Sequence, residues 1–145
     1  MRTYSILLVD DDSLILEMLR IQMDQIAPEH VYIEMASSGE EALRVMRELQ
    51  LEGEGQVEII ITDYFMPGMT GADFLREAAG INAITHNILL TGQADEQSVN
   101  ELMMQSALFH VFIKPWSKSA LQDVIAQYVL EIDARLNGQQ KLGAQ

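Results

Sequence analysis

The most constraining feature of this sequence is a run of three acidic residues directly after an apolar segment. Residues 6–9 (Ile-Leu-Leu-Val) have the pattern of a strand buried on both faces, and Asp10, Asp11 and Asp12 follow at once. Packing does not explain three adjacent carboxylates, because like charges repel and buried carboxylates are costly unless paired. Helix capping by Asp12 or Ser13 accounts for one or two of the acids. A divalent cation such as Mg²⁺, which prefers carboxylate oxygens, accounts for the whole cluster.

The composition is that of one ordinary folded domain. The chain has 145 residues, of which 48% are hydrophobic and 21% charged, and this argues against disorder. It contains no cysteine, so disulfides, thiolate metal sites and cysteine nucleophiles are excluded. A net charge of −13 disfavours direct nucleic-acid binding, which depends on Lys and Arg. Because we find no signal peptide and no apolar run of the ~20 residues that a membrane span needs, we expect a cytoplasmic protein.

Strand-like and helix-like segments alternate five times along the chain. The apolar runs typical of strands are residues 4–9, 31–35, 57–62, 86–90 and 109–113. A stretch with helical periodicity follows each of them. This alternation predicts an α/β fold, with a doubly wound five-stranded parallel sheet, right-handed crossovers and five helices. The common doubly wound order makes the first and third strands neighbours.

Several predicted helices begin at recognisable capping residues. The second begins at Ser37 or Ser38 and the third at Thr70, each with an acid three residues later, which is the capping-box spacing. The fourth is expected to begin near Asp95, and the last at Ser117.

The last helical pattern extends to Leu136, further than is needed to cover a five-stranded sheet. Either the helix has a solvated end, or its apolar residues continue into a dimer or toward an output domain. Residues 137–140 (Asn-Gly-Gln-Gln) should end the helix. We therefore predict one domain over residues 1–136, with residues 137–145 as a frayed tail or the start of a linker.

Polar residues stand at the ends of four predicted strands. The acidic cluster follows the first strand, Asp63 the third, Thr91 ends the fourth and Lys114 follows the fifth. Because ligands bind at the carboxyl ends of such strands, we expect these groups to form one site. Taken singly, Asp63 and Thr91 could each be a turn or cap residue, and Lys114 could be a lysine that extends into solvent. Four such coincidences at one edge favour a site, and its carboxylates need a cation because they would otherwise raise one another's pKa.

This set of groups suits phosphoryl transfer to a carboxylate. An aspartate can act as the nucleophile, while a metal ion and a lysine neutralise the transferring oxygens and a hydroxyl donates to one of them. A freestanding Mg²⁺-dependent phosphohydrolase also uses carboxylates at strand ends. Haloacid-dehalogenase-type phosphatases, however, place a second acid two residues after the nucleophile, where this chain has Phe65. Acids instead of glycines after Val9 argue against a dinucleotide-binding loop.

Four segments of the chain resemble the receiver domain of two-component response regulators. They are residues 6–12, 62–71, 89–92 and 112–116, and the resemblance extends from residue 4 to about residue 133. It implies a flavodoxin-like fold with strand order 2-1-3-4-5. It also implies a signalling phosphoacceptor, not an enzyme acting on other substrates, that promotes its own phosphorylation and dephosphorylation.

The resemblance implies a role for each candidate residue. Asp63 would be the phosphoacceptor, Lys114 would contact the phosphoryl group, and Thr91 would move to bond it. The Lys114–Pro115 peptide would be cis. The implied Mg²⁺ ligands are Asp10, Asp11, Asp63 and the backbone carbonyl of Phe65. In the family, the lifetime of the phosphoryl group depends on the residues two beyond the phosphoacceptor and two beyond the threonine, here Phe65 and Gln93.

The resemblance also implies partners. A sensor histidine kinase or a phosphotransfer protein would donate the phosphoryl group. An output domain or a second copy would then read the face formed by the fourth helix, fifth strand and fifth helix. One position departs from the pattern: many receivers carry Tyr or Phe three residues before the lysine, and this chain has Val111. We therefore expect switching without the usual aromatic movement. The alternative is a phosphate-independent, receiver-like interaction module.

Overall fold

The computed structural model describes residues 2–92 and 109–143. Within these ranges, one parallel sheet contains five strands, in the order β2-β1-β3-β4-β5. The strands are β1 (Tyr4–Val9), β2 (Val31–Ala36), β3 (Val57–Asp63), β4 (His86–Thr91) and β5 (Phe109–Ile113). The five predicted strands, their parallel pairing and the predicted order are thereby confirmed.

Four helices fall within the described ranges, three of them between strands and one after β5. They are α1 (Ser13–Ile26), α2 (Gly39–Glu52), α3 (Gly71–Ala78) and α4 (Lys118–Gly143). The helix predicted to begin near Asp95 lies outside the described residues. None of the described helices is long and apolar enough to cross a membrane.

The predicted end of the last helix is wrong, because α4 continues through residues 137–140 to Gly143. Asn and Gly disfavour a helix by at most ~1 kcal/mol each relative to Ala. In a helix of 26 residues, that local cost is small beside the packing of the earlier turns.

Caps anticipated from the sequence begin all four described helices, with Ser117 capping α4 through the Ala120 N–H. The Asp12 carboxylate accepts backbone hydrogen bonds at the start of α1, and Ser38 caps α2. Thr70 and Asp73 form a reciprocal capping box at α3. Each such cap stabilises its helix by about 1 kcal/mol. Gly53 ends α2 in the left-handed conformation, with φ of 76°, which glycine adopts without steric cost.

Alternating strand residues pack into two apolar clusters. One cluster contains Leu7, Ile60 and Leu89 together with buried side chains of α2 and α3. The other contains Ile6 and Ile61 together with buried side chains of α1 and α4. Strands β1, β3 and β4 are buried along their whole length, which explains why they read as continuous apolar runs. This packing fixes the sheet and brings the carboxyl ends of the strands to one edge.

Candidate functional site

Asp10 and Asp63 lie beside each other at the carboxyl edge of the central strands. Val9 of β1 pairs with Thr62 of β3, so the next residue on each strand is one of these two acids. Asp10 is 1% exposed and Asp63 is 6% exposed. Asp11 is exposed, and one carboxylate oxygen from each of the three aspartates lies within 4.8 Å of the others. Three carboxylate oxygens at this spacing are a donor set that suits a hard divalent cation.

The three consecutive acids have different roles. The Asp12 backbone N–H donates to Asp10 Oδ1 at 2.9 Å, which fixes the Asp10 side chain. The Asp12 carboxylate turns away to cap α1. Capping therefore explains Asp12, while Asp10 and Asp11 belong to the group with Asp63.

Lys114 brings a positive charge to the two buried acids. Its Nζ atom lies 3.1 Å from Asp10 Oδ2 and 3.1 Å from Asp63 Oδ1. Its backbone N–H donates to the Thr91 carbonyl at 2.9 Å, and this bond ties the lysine to the end of β4. The Lys114–Pro115 peptide is cis, as predicted. One ammonium group thus bridges two carboxylates that come from different strands.

Burial sets the protonation behaviour of these groups. It raises the pKa of Asp10, although the Asp12 backbone and Lys114 partly offset the effect. Burial also raises the pKa of Asp63, and the charge of Asp10 raises it further. For Lys114, burial lowers the pKa, but the hydrogen bonds and charges of Asp10 and Asp63 outweigh burial and leave the pKa raised. Three carboxylates share one ammonium group, so the ionised site carries a surplus of negative charge that a cation would neutralise.

The remaining predicted residues lie near the same edge. Thr91 is fully buried at the end of β4 and pairs with Ile113 of β5. Phe65, two residues beyond Asp63, is 51% exposed, and its ring meets the Tyr64 ring edge-on at 4.7 Å. The roles of the Thr91 hydroxyl and of the Phe65 carbonyl stay predictions. Val111 is half-buried against the cluster that contains Leu89, its partner on β4.

Gly71 is part of the site's framework, a role that its place in the sequence did not indicate. A Cβ atom at this position would lie 2.2 Å from the Asp63 carbonyl oxygen. The Gly71 N–H donates to the Tyr64 carbonyl at 2.8 Å, so the start of α3 packs directly on the backbone of Asp63. The available signal was a glycine immediately after the Thr70 cap, where helix propensity alone disfavours it.

We expect Gly71→Ala to lower the free energy of unfolding by about 1–3 kcal/mol, because the backbone must move to admit the methyl group. Urea denaturation would measure the loss. Gly138→Ala is the matched control, since no described residue lies within 4 Å of a Cβ there. That helical position should gain about 0.5–1 kcal/mol. An unchanged midpoint for Gly71→Ala would contradict the close approach to Asp63.

The fold and the charged edge match a known class of signalling domain. Residues 6–126 match the family model of the response regulator receiver domain. The solved structure of a response regulator receiver domain protein from Clostridium thermocellum superposes with a TM-score of 0.77 at 27% identity. The match covers 90% of this chain and 98% of that chain. The chain belongs to the response regulator receiver domain family.

Relatives carry this domain in different settings. The chain is 26% identical over 125 residues to the hydrogenase transcriptional regulatory protein HoxA of Cupriavidus necator, covering 86% of this chain and 24% of that protein. It is 32% identical over 98 residues to the sensor kinase CckA of Brucella abortus, covering 68% of this chain and 10% of that protein. An adenylate cyclase structure from Rhodopirellula baltica shares the fold, with a TM-score of 0.76 at 24% identity over 99% of each chain. The chain spans about half or less of the length of the curated relatives it matches.

Proposed function

We propose that Asp63 of this receiver domain accepts a phosphoryl group from the phosphohistidine of a partner kinase or phosphotransfer protein. An Asp63 carboxylate oxygen forms the new P–O bond while the P–N bond to the donor histidine breaks, and the histidine nitrogen keeps the electron pair. The observation that carries the proposal is the Lys114 ammonium group held 3.1 Å from both Asp10 and Asp63, with Asp11 in the same carboxylate group.

The donor set fits Mg²⁺. Hard cations take carboxylate and carbonyl oxygens and retain water, so Asp10, Asp11, Asp63 and the Phe65 carbonyl would hold the ion. When bound, it supplies positive charge next to the transferring oxygens.

The protein's own residues complete the reaction site. Lys114 would exchange a carboxylate partner for a phosphoryl oxygen, since its ammonium group already lies between the two acids. The Thr91 hydroxyl would donate to another phosphoryl oxygen and so report the modification to β4.

The new charge would bias a two-state equilibrium that partners read on an output face. The proposed fold is doubly wound with five helices, including the helix that the sequence predicts near Asp95. The output face is then that helix, β5 and α4. Ile113 on β5 is 61% exposed and Leu130 on α4 is 67% exposed, so both elements present apolar side chains to an output domain or a second copy. On this proposal the protein is a cytoplasmic phosphoacceptor with no substrate other than its own aspartate.

Acetyl phosphate labelling, read by intact mass with and without Mg²⁺, tests the proposal. We expect a single phosphoryl adduct that requires the metal. The absence of an adduct under both conditions would instead favour the phosphate-independent interaction module, to which Val111 already gives some support.

We expect the label to be lost slowly, over minutes or longer, once the phosphodonor is removed. The half-exposed Phe65 ring stands where a polar side chain would orient an attacking water, and an apolar ring cannot do this. Intact mass against time would measure the decay, and Phe65→Asn should shorten it. Loss of the wild-type label within seconds would count against this role of Phe65.

We expect stabilisation by Mg²⁺ to weaken as the pH falls from about 7.5 to about 5, because metal ligands must be deprotonated. Burial raises the pKa values of Asp10 and Asp63, so protons compete at a higher pH than for ordinary carboxyls. Because these pKa values are raised by folding, the metal-free folded state takes up the protons at a higher pH than the unfolded chain does. Acid therefore favours the metal-free folded form and reduces the stabilisation by Mg²⁺. Urea midpoints with and without Mg²⁺ at each pH would show the effect. Equal stabilisation at both pH values would contradict it.

A further inference from the structure

All three histidines of the chain contact the last helix, at the end of the sheet opposite the aspartates. The contacts join His30 to Asp133 at 2.9 Å, His86 to Glu131 at 3.1 Å and His110 to the Tyr128 hydroxyl at 2.7 Å. The histidines stand at or near the amino ends of β2, β4 and β5. These contacts fasten the half of α4 that begins at Tyr128 to the sheet.

His86 is the buried member of this set. Its side chain is 7% exposed, whereas that of its partner Glu131 is 45% exposed. The Nε2 atom reaches Glu131 Oε2, and the ring packs on Tyr128 with centroids 4.6 Å apart. The other ring nitrogen, Nδ1, is buried and makes no hydrogen bond of good geometry with any described residue. A neutral ring that donates from Nε2 fits this site, because a second N–H would enter a buried position where the described residues offer it no well-aligned acceptor.

The charged groups around His86 come from two elements. Glu131 and Arg135 face it from α4, together with the Tyr128 ring. From β3, the backbone of Glu58 faces it, while the buried Glu58 carboxylate is paired with Arg135. Burial lowers the pKa of His86, Glu131 and the Glu58 backbone partly offset this, and Arg135 adds to it. The docked helix therefore favours the neutral ring.

We infer that His86 is a proton-sensitive anchor for the C-terminal half of α4, which docks on the neutral ring and loosens when the ring is protonated. The dependence of docking on pH follows from linkage between proton binding and docking. A histidine whose pKa is lower in the docked state takes up its proton more readily in the undocked state, so docking is strongest above the ordinary pKa of 6.5. It weakens as the pH falls through that value. This inference goes beyond the phosphoacceptor function and does not rest on it.

The other two histidines do not have the same environment. His110 is exposed on β5. The His30 side chain is 16% exposed, against 7% for His86. His110→Gln is therefore the matched control for His86→Gln.

Hydrogen exchange of the full chain, read by mass spectrometry at about pH 7.5 and about pH 5.5 and corrected for intrinsic exchange rates, tests the anchor. We expect protection of residues 128–139 to fall roughly threefold or more at the lower pH, relative to residues 4–9 in β1. His86→Gln keeps a side-chain N–H for Glu131 but cannot titrate, so the fall should disappear. It should persist in His110→Gln.

A second variant keeps the test decisive if His86→Gln fails to fold. Glu131→Gln changes a half-exposed side chain and removes the negative charge that favours a protonated ring. We expect a larger loss of protection at the lower pH than in the wild type. The inference is overturned if the pH effect survives His86→Gln, vanishes in His110→Gln, or vanishes in Glu131→Gln.

Discussion

Asp63→Asn is expected to abolish covalent labelling by acetyl phosphate while the fold is retained. The amide has nearly the shape of the carboxylate but lacks the nucleophilic oxygen anion that would form the P–O bond. The change also removes a buried charge that Asp10 repels, so the metal-free protein should become more stable, not less. Intact mass after incubation with Mg²⁺ and acetyl phosphate would show the loss, and urea denaturation would show the gain.

The matched control for this variant is Asp24→Asn. Asp24 is an exposed acid on α1 that pairs with Arg20 and lies outside the carboxylate group, so labelling should be unchanged. An adduct on the Asp63→Asn protein would refute the assignment of the phosphoacceptor. Loss of labelling in both variants would point to a general effect of charge.

Lys114→Ala is expected to separate labelling from its structural consequence. On the proposed mechanism the ammonium group links Asp63 to the β5–α4 connection, so its removal would leave the nucleophile in place but break the path to α4. The variant should also lose about 1–3 kcal/mol of stability without metal, since two buried carboxylates lose their partner. The loss is smaller than for a fully buried pair because the Lys114 side chain is 22% exposed.

Trp116 provides the readout for this experiment. It is the one tryptophan of the chain, stands two residues beyond Lys114, and donates from Nε1 to Gln22 on α1 at 3.1 Å. We expect labelling to change its fluorescence in the wild type and to leave it unchanged in Lys114→Ala. Lys118 is an exposed lysine that donates to Gln25, which like Gln22 lies on α1. The Lys118→Ala variant should keep the fluorescence response. A full fluorescence response in Lys114→Ala would contradict the proposed path.

Val111 bears on how any such signal travels. In this chain it packs half-buried against the cluster on the α2 and α3 side and pairs with Leu89. A small branched side chain there has few rotamers, so a swing of the kind expected of an aromatic ring is not available. The backbone bond between Lys114 and the Thr91 carbonyl offers a different connection between β4 and β5.

The sequence determined the elements of this protein and the chemistry of its edge. Apolar runs specified the strands because their period and length are local properties. Capping residues placed three helix starts to within one residue, at Asp12 or Ser13, at Ser37 or Ser38 and at Thr70, because a cap acts within one turn. Motif order and spacing identified the family, since each polar residue stands at a strand end that a parallel sheet brings to one edge.

Only the tertiary structure gave the distances within the site and the contacts that no motif names. It places the Lys114 ammonium group 3.1 Å from both Asp10 and Asp63. The contact of Gly71 with Asp63, and that of His86 with Glu131, join residues on different elements. No local pattern encodes such contacts, because strand order, packing distance and side-chain direction arise only when the whole core is assembled.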